Sequence, residues 1–253
     1  MNQYLKNKKV LLVTSNLDLT FQIVLILNKM GIKPYVLGPK KRNILYINNL
    51  FCKKYIEYDI DEMGYDYSYS ISSFSNKFIG LLNNTYIQND IDILIPIDYA
   101  VMITLSKYEK TVNKNIKSTA FLEEKTLRYL NDKWNFSKLC TGQNIPQPQT
   151  EVLVKDDEIE KLEIQFPIIV KPLNNGGGFG VKVLDSKSSL KSHIIENKID
   201  LKNNPLLCQK YLEGRDLQVF ILAIKGEIKT YSMCFMDKRG KREFLQRTEG
   251  LVF

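Results

Sequence analysis

A chain of 253 residues with 36 Lys and Arg against 28 Asp and Glu carries a formal charge of +8, which invites anionic partners, nucleotide phosphates as readily as nucleic acid. Its 44% apolar and 25% charged residues are ordinary for a soluble globular protein of two domains or one large one. No stretch approaches the ~18 apolar residues of a membrane helix, and the N-terminal apolar run is too short for a signal peptide. Cys52, Cys140, Cys208 and Cys234 are scattered without a CxxC pair, which argues against a disulfide framework or zinc site and for a cytoplasmic location.

In chain order, Lys9 to Thr14 predicts a buried strand and Leu17 to Met30 an amphipathic helix capped by Gly31. Pro34 to Leu37 predicts a second strand, closed by Gly38 and Pro39. Strand, helix, strand within about thirty residues is a βαβ unit, hence a parallel sheet. The first turn, Thr14 to Asp18, has no GxGxxG, so a dinucleotide site there has little support. Ile56 to Tyr58 reads as a short third strand, Tyr65 to Ser75 as a tyrosine-rich loop and helix start, and Ile91 to Ile97 as another buried strand. Asp98 lies just past that strand's C-terminal end, where open α/β sheets face ligand. Helix N-capping is favoured over a substrate contact for it.

Val101 to Lys110 and Glu123 to Leu130 read as helices; Asp132-Lys133-Trp134 opens another that runs to Thr141 and stops at Gly142. Pro146 and Pro148 hold the next segment extended. The domain boundary is placed near Thr119, giving 1–118 and 119–253.

The chain is most distinctive at Phe166 to Asp185, FPIIVKPLNNGGGFGVKVLD. Ile168 to Val170 forms a short strand ending on Lys171 and Pro172, and Val181 to Leu184 a returning one. The connection carries Gly176, Gly177, Gly178 and Gly180, more glycine than a tight hairpin turn requires. Glycine lets backbone N–H groups approach an anion closely, and a lysine at the strand end adds a point charge. A floppy hairpin tip beside a solvated lysine weighs evenly against that phosphate cradle. No Gly-Lys-Ser/Thr follows, so this is not a Walker loop.

Ser186 to Asn197 reads as a helix bearing the sole histidine, His193, which has no ligand-spaced partner. Pro205 to Leu212 is a strand running into Glu213-Gly214-Arg215-Asp216. Leu217 to Ile224 and Ile228 to Phe235 form a hairpin about Lys225-Gly226-Glu227, and a basic stretch from Asp237 ends the chain.

In this order, Asp132-Lys133, IPQP, FPIIVKP with GGGFGV, QKYLEGRD and a KGE turn together resemble the ATP-grasp superfamily. That superfamily includes biotin carboxylase, D-alanine–D-alanine ligase and D-aspartate ligase. The resemblance covers roughly the whole chain, and ILIPID looks like part of the pre-ATP-grasp domain of the amino-acid ligases. It implies an α/β fold: an N-terminal Rossmann-like parallel sheet over 1–118, then an α+β ATP-grasp domain over 119–253 with an incomplete C-terminal lobe. It also implies that Lys133 and Lys171 hold the ATP phosphates and that the loop of Gly176, Gly177, Gly178 and Gly180 closes over them. Gln209, Lys210, Tyr211 and Leu212 would contact adenine, largely through backbone, and Asp216 would accept from the ribose hydroxyls. As an ionised acid Asp216 suits paired hydroxyl donors, and capping the turn after Gly214 is an equal alternative.

The family's magnesium-binding acid and Glu-x-Asn pair have no counterpart after Asp216, and Glu243 and Glu249 lack the pattern. The expectation is therefore a fragment or a natural truncation, with Mg2+ belonging to the full-length family site. The implied chemistry is ATP-dependent carboxylate–amine (or thiol) ligation through an acyl phosphate. The expected partners are ATP and a small carboxylate or amine such as an amino acid, with no membrane or nucleic acid and a homodimer left open. A non-catalytic nucleotide-binding module is the alternative, and a nucleic-acid binder ranks below it.

Overall fold

The computed structural model describes residues 7–40, 50–65, 73–118, 122–174, 176, 178–214, 216–237 and 247–249, with backbone alone for 216, 234–237 and 247–249. Two compact units divide the chain, Met1–Asn131 and Asp132–Phe253.

The first unit is built on a parallel sheet. Strands β1 (Val10–Val13), β2 (Tyr35–Pro39), β3 (Lys54–Tyr58) and β4 (Ile93–Pro96) lie in the order β3-β2-β1-β4. Helices α1 (Leu17–Lys29), α2 (Asn76–Gln88), α3 (Tyr99–Lys107) and α4 (Glu124–Asn131) complete it. Successive β1 residues point to opposite faces. Leu11 and Val13 join Leu37, Phe78, Ile79, Leu82, Val101 and Leu105 in one core; Val10 and Leu12 join Val24, Leu27 and Val36 in the other. Both faces being covered explains why β1 reads as an unbroken apolar run. The chain passes from β1 to β2 on one side and later to β4 on the other, so the sheet's topological switch lies between β1 and β4.

Asp98 sits at that switch. It caps α3, accepting from Val101 N at 3.1 Å, and the same carboxylate accepts from Ser15 N at 2.6 Å and Thr14 Oγ1 at 3.2 Å. The backbone donors that a phosphate would seek after β1 are thus partly taken by a side chain of the protein itself. Asn16 caps α1 in turn, with Oδ1 accepting from Asp18 N at 3.0 Å.

The second unit opens with α5 (Lys133–Gly142) and an antiparallel sheet ordered β5-β8-β6-β7. Its strands are β5 (Thr150–Leu153), β6 (Ile168–Pro172), β7 (Lys182–Leu184) and β8 (Leu206–Lys210), with helix α6 (Lys187–Glu196) and a 3-10 helix at Asp156–Lys161. Strand β5 was not foreseen, because it follows two prolines and its four residues, Thr-Glu-Val-Leu, show no polar–apolar alternation. Gln147 fastens that segment to α5: Nε2 donates to Ser137 O at 2.9 Å and Thr141 Oγ1 at 2.8 Å, while Oε1 accepts from Ser137 Oγ.

One face of this sheet is the core. Leu153, Ile168, Val170, Leu184, Leu206 and Cys208 pack against Leu190 and Ile194 of α6, with Ile159, Leu162 and Ile164. Each such aliphatic side chain stabilises by about 1.5–3 kcal/mol when removed from water. Burial also pushes the Cys208 thiol up to about 12, which excludes it as a nucleophile at neutral pH. Alternation then fixes the opposite face, which carries Thr150, Ile169, Lys171, Val183 and Gln209.

Strands β9 (Asp216–Ile224) and β10 (Glu227–Asp237) form the expected hairpin, and β11 (Arg247–Glu249) pairs with β10. The connection is two residues, Lys225 and Gly226, at φ +53° and +81°. Two positive φ values make the primed turn that matches strand twist, so Glu227 belongs to the strand rather than the turn.

Candidate functional site

The two lysines meet at the end of β6. Asp132 caps α5, accepting from Asn135 N at 2.8 Å, and so sets where Lys133 emerges. The Lys133 backbone N–H donates to Leu173 O at 3.0 Å, and its Nζ donates to the same carbonyl at 3.1 Å. Leu173 follows directly on Lys171 and Pro172, so the start of α5 is stitched to the mouth of the glycine loop. Both ammonium groups are half-buried, and desolvation holds both pKa values below their usual 10.5. For Lys133 the nearby Lys171 charge acts in the same direction, and Asp132 opposes it. Two cations held close together and partly dry form a site suited to a polyanion.

Lys171 is aimed by a relay along one face of the sheet. Its Nζ donates to Gln209 Oε1 at 2.9 Å, Gln209 Nε2 donates to Thr150 Oγ1 at 2.9 Å, and Thr150 Oγ1 donates to Pro148 O at 2.8 Å. The register explains the reach: Gln209 pairs with Ile169 and lies diagonal to Lys171, while Thr150 stands directly opposite Gln209. Thr150, and the side chain of Gln209 as distinct from its backbone, were missed from sequence. Neither strand alternates in sequence, and what brings the two residues together is the register of β5 on β8, which no local pattern carries. By the same alternation Lys182, paired with Val170, projects from the other face.

Of the loop glycines, Gly177 lies outside the described residues, and Gly176 and Gly178 are exposed. Gly180 is required by space and by conformation. Its φ is +72°, and a Cβ there would lie 2.8 Å from Pro172 Cγ. Turn bonds Phe179 N to Gly176 O and Val181 N to Gly178 O shape the segment, with Phe179 exposed.

Past β8, Lys210 N donates to Gln149 O at 2.9 Å and Tyr211 N to Pro167 O at 3.0 Å, while Leu212 is exposed. Lys210 Nζ reaches Gln165 Oε1 at 3.2 Å. Asp216 opens β9, and only its backbone is described. Among the described residues no group of three His, Cys, Asp or Glu side chains is placed to hold a metal ion. Glu243 lies outside them, and Glu249 is described by backbone alone in β11. His193 Nδ1 accepts from Asn197 Nδ2 at 3.1 Å, four residues on at the end of its own helix. No helix among the described residues is long and apolar enough to cross a membrane.

A parallel Rossmann-like unit followed by an antiparallel unit with paired lysines at a glycine-loop mouth defines an α/β architecture in two parts. Residues 137–244 match the family model of the ATP-grasp domain of prokaryotic glutathione synthetase. Carbamoyl-phosphate synthase of Methanobrevibacter smithii is 29% identical over 103 residues, 41% of this chain and 26% of that protein. D-alanine–D-alanine ligase of Zymomonas mobilis is 30% identical over 97 residues, 38% of this chain and 30% of the ligase. The structure of L-amino acid ligase from Bacillus licheniformis superposes with a TM-score of 0.65 at 14% identity, covering 98% of this chain and 58% of the ligase. The matched segments thus span under a third of these curated relatives, and the chain just over half of the solved structure. The resemblance to the ATP-grasp superfamily is borne out, by the domain match and by the fold.

Proposed function

We propose that this chain binds ATP on its second unit and serves an ATP-dependent carboxylate–amine (or thiol) ligase reaction. The observation that carries this reading is the convergence of Lys133 and Lys171 on the end of β6, half-buried and beside the glycine loop. In this reading the two ammonium groups offset triphosphate charge, and Gly176, Gly177, Gly178 and Gly180 let backbone donors close over it. Gln209, Lys210, Tyr211 and Leu212 border adenine. Since the Lys210 and Tyr211 N–H groups already donate within the protein, backbone recognition falls to carbonyl oxygens and the Leu212 N–H. Asp216 accepts from ribose hydroxyls. Residues 1–118 form the pre-ATP-grasp domain and 119–253 the ATP-grasp domain.

The reaction is attack of a substrate carboxylate on the γ-phosphate, giving an acyl phosphate and ADP. An amine then displaces inorganic phosphate from that acyl carbon. What this chain's own residues contribute is positioning and charge: the lysines fix the transferring phosphoryl group, and the half-dry site strengthens their field. The acid set needed for Mg2+ is not assembled among the described residues, so no step is assigned to the metal. The second reading is a nucleotide-binding module without turnover, which keeps the paired lysines and the glycine loop.

The two readings separate in one experiment. ADP release is followed with ATP, magnesium and a panel of amino acids offered singly and in pairs. Release that requires both a carboxylate and an amine establishes the ligase. Binding of ATP by calorimetry without any such release establishes the module.

A further inference from the structure

We infer that Gln209 is a positioning residue whose uncharged amide aims the Lys171 ammonium at the glycine-loop mouth and leaves its charge for the ligand. The inference rests on the nucleotide-site reading and goes beyond it, since that reading gave Gln209 only an adenine contact.

Three features of the relay carry it. First, its direction is set at both ends. An ammonium can only donate, so Gln209 must present Oε1 to Lys171, which leaves Nε2 for Thr150. Thr150 accepts that bond and spends its own hydroxyl proton on Pro148 O. One orientation of the amide satisfies all three bonds, and it turns the acceptor oxygen toward the lysine. Second, the relay lies on the sheet face opposite the packed core, so it is not needed to fill that core. Third, the partner is neutral. A carboxylate at 2.9 Å would hold the ammonium equally well, but it would cancel in place the charge that a phosphate needs. An amide holds the ammonium and leaves its charge intact.

The test uses the full chain and three variants, Gln209→Glu, Gln209→Met and Thr150→Val. Two readouts are taken: ATP affinity by calorimetry, and titration of the Lys171 amine by NMR of 13C-dimethylated lysines, assigned with Lys171→Arg. In Gln209→Glu the Lys171 amine is expected to titrate at higher pH than in wild type, with ATP affinity reduced by about tenfold or more. Gln209→Met keeps the length of the side chain but loses both bonds, and is expected to bind ATP about threefold to tenfold more weakly. Thr150→Val frees one end of the relay and should fall between wild type and Gln209→Met. A merely structural glutamine would lower the melting midpoint in Gln209→Glu without moving the Lys171 titration. Lys171 titrating identically in wild type and Gln209→Glu, or Gln209→Met binding ATP as wild type does, overturns the inference. Failure of wild type to bind ATP overturns the nucleotide reading alone, because the amine titration still decides whether Gln209 governs Lys171.

Discussion

At the scale of single residues, the site is a problem in placing positive charge. Lys171 and Lys182 are both lysines near one glycine loop, and sequence alone separates them only by their position in the strands. The ladder separates them by face, with Lys171 on the side of Gln209 and Thr150 and Lys182 on the side of Val170. Lys171→Ala should therefore weaken ATP binding about tenfold to a hundredfold, the loss of one charge-assisted contact of about 1.5–3 kcal/mol. Lys182→Ala should bind nearly as wild type. Equal calorimetric affinities for the two variants would remove Lys171 from the site. Titration gives a second consequence. Both site lysines have pKa values depressed below 10.5, so the folded protein releases these protons before the unfolded chain does. Stability contributed by these groups then rises with pH through the alkaline window below 10.5. ATP affinity runs the other way, falling across that window as the ammonium charge is lost. Calorimetry from neutral to alkaline pH checks this, and in Lys171→Arg the decline should flatten. An affinity that holds steady to pH 10 and above would contradict it.

At the scale of elements, most of what positions the site was legible, and the remainder fails for identifiable reasons. The βαβ start, the strand before Asp98, the helix opening at Lys133 and the hairpin around the glycine loop all follow from apolar period, caps and turn residues. Asp98 was read as a helix cap and does cap α3, but its bonds to Ser15 and Thr14 depend on β1 and β4 being neighbours. No local pattern in the sequence announces that pairing. Strand β5 was hidden by Pro146 and Pro148, and with it went the relay through Thr150. Pro172 was read as ending its strand. It is the last paired residue of β6, where the ladder with β7 has already stopped at Val170. The cap on α5 offers a test at this scale. Asp132→Ala removes the bond to Asn135 N and costs about 1 kcal/mol, or a fall in melting midpoint of about 2–4 °C. Because the first residue of α5 is Lys133, the same change should also weaken ATP binding. A stability loss with unaltered ATP affinity would show that the cap serves the helix and not the site.

At the scale of the whole molecule, two units divide the labour that the family resemblance implies. In the first, the helix N-terminus after β1 is engaged by Asn16 and its approach by Asp98, which leaves that classical phosphate position poorly furnished. In the second, two cations and a glycine loop gather near the end of β6, and an uncharged relay runs along the sheet face opposite the cluster of Leu153, Ile168, Val170 and Cys208. The central claim is that this second unit is a working ATP site, and the most direct measurement is the thermal midpoint of the chain with and without ATP. A ligand bound only by the native state stabilises by RT ln(1 + [L]/Kd), about 2.7 kcal/mol at a hundred times Kd. For a chain of this size each kcal/mol moves the midpoint by roughly 2–4 °C. Millimolar ATP should therefore raise the midpoint by several degrees, and the rise should shrink in Lys171→Ala and Lys133→Ala. A cooperative melt whose midpoint stays put at saturating ATP would contradict the account.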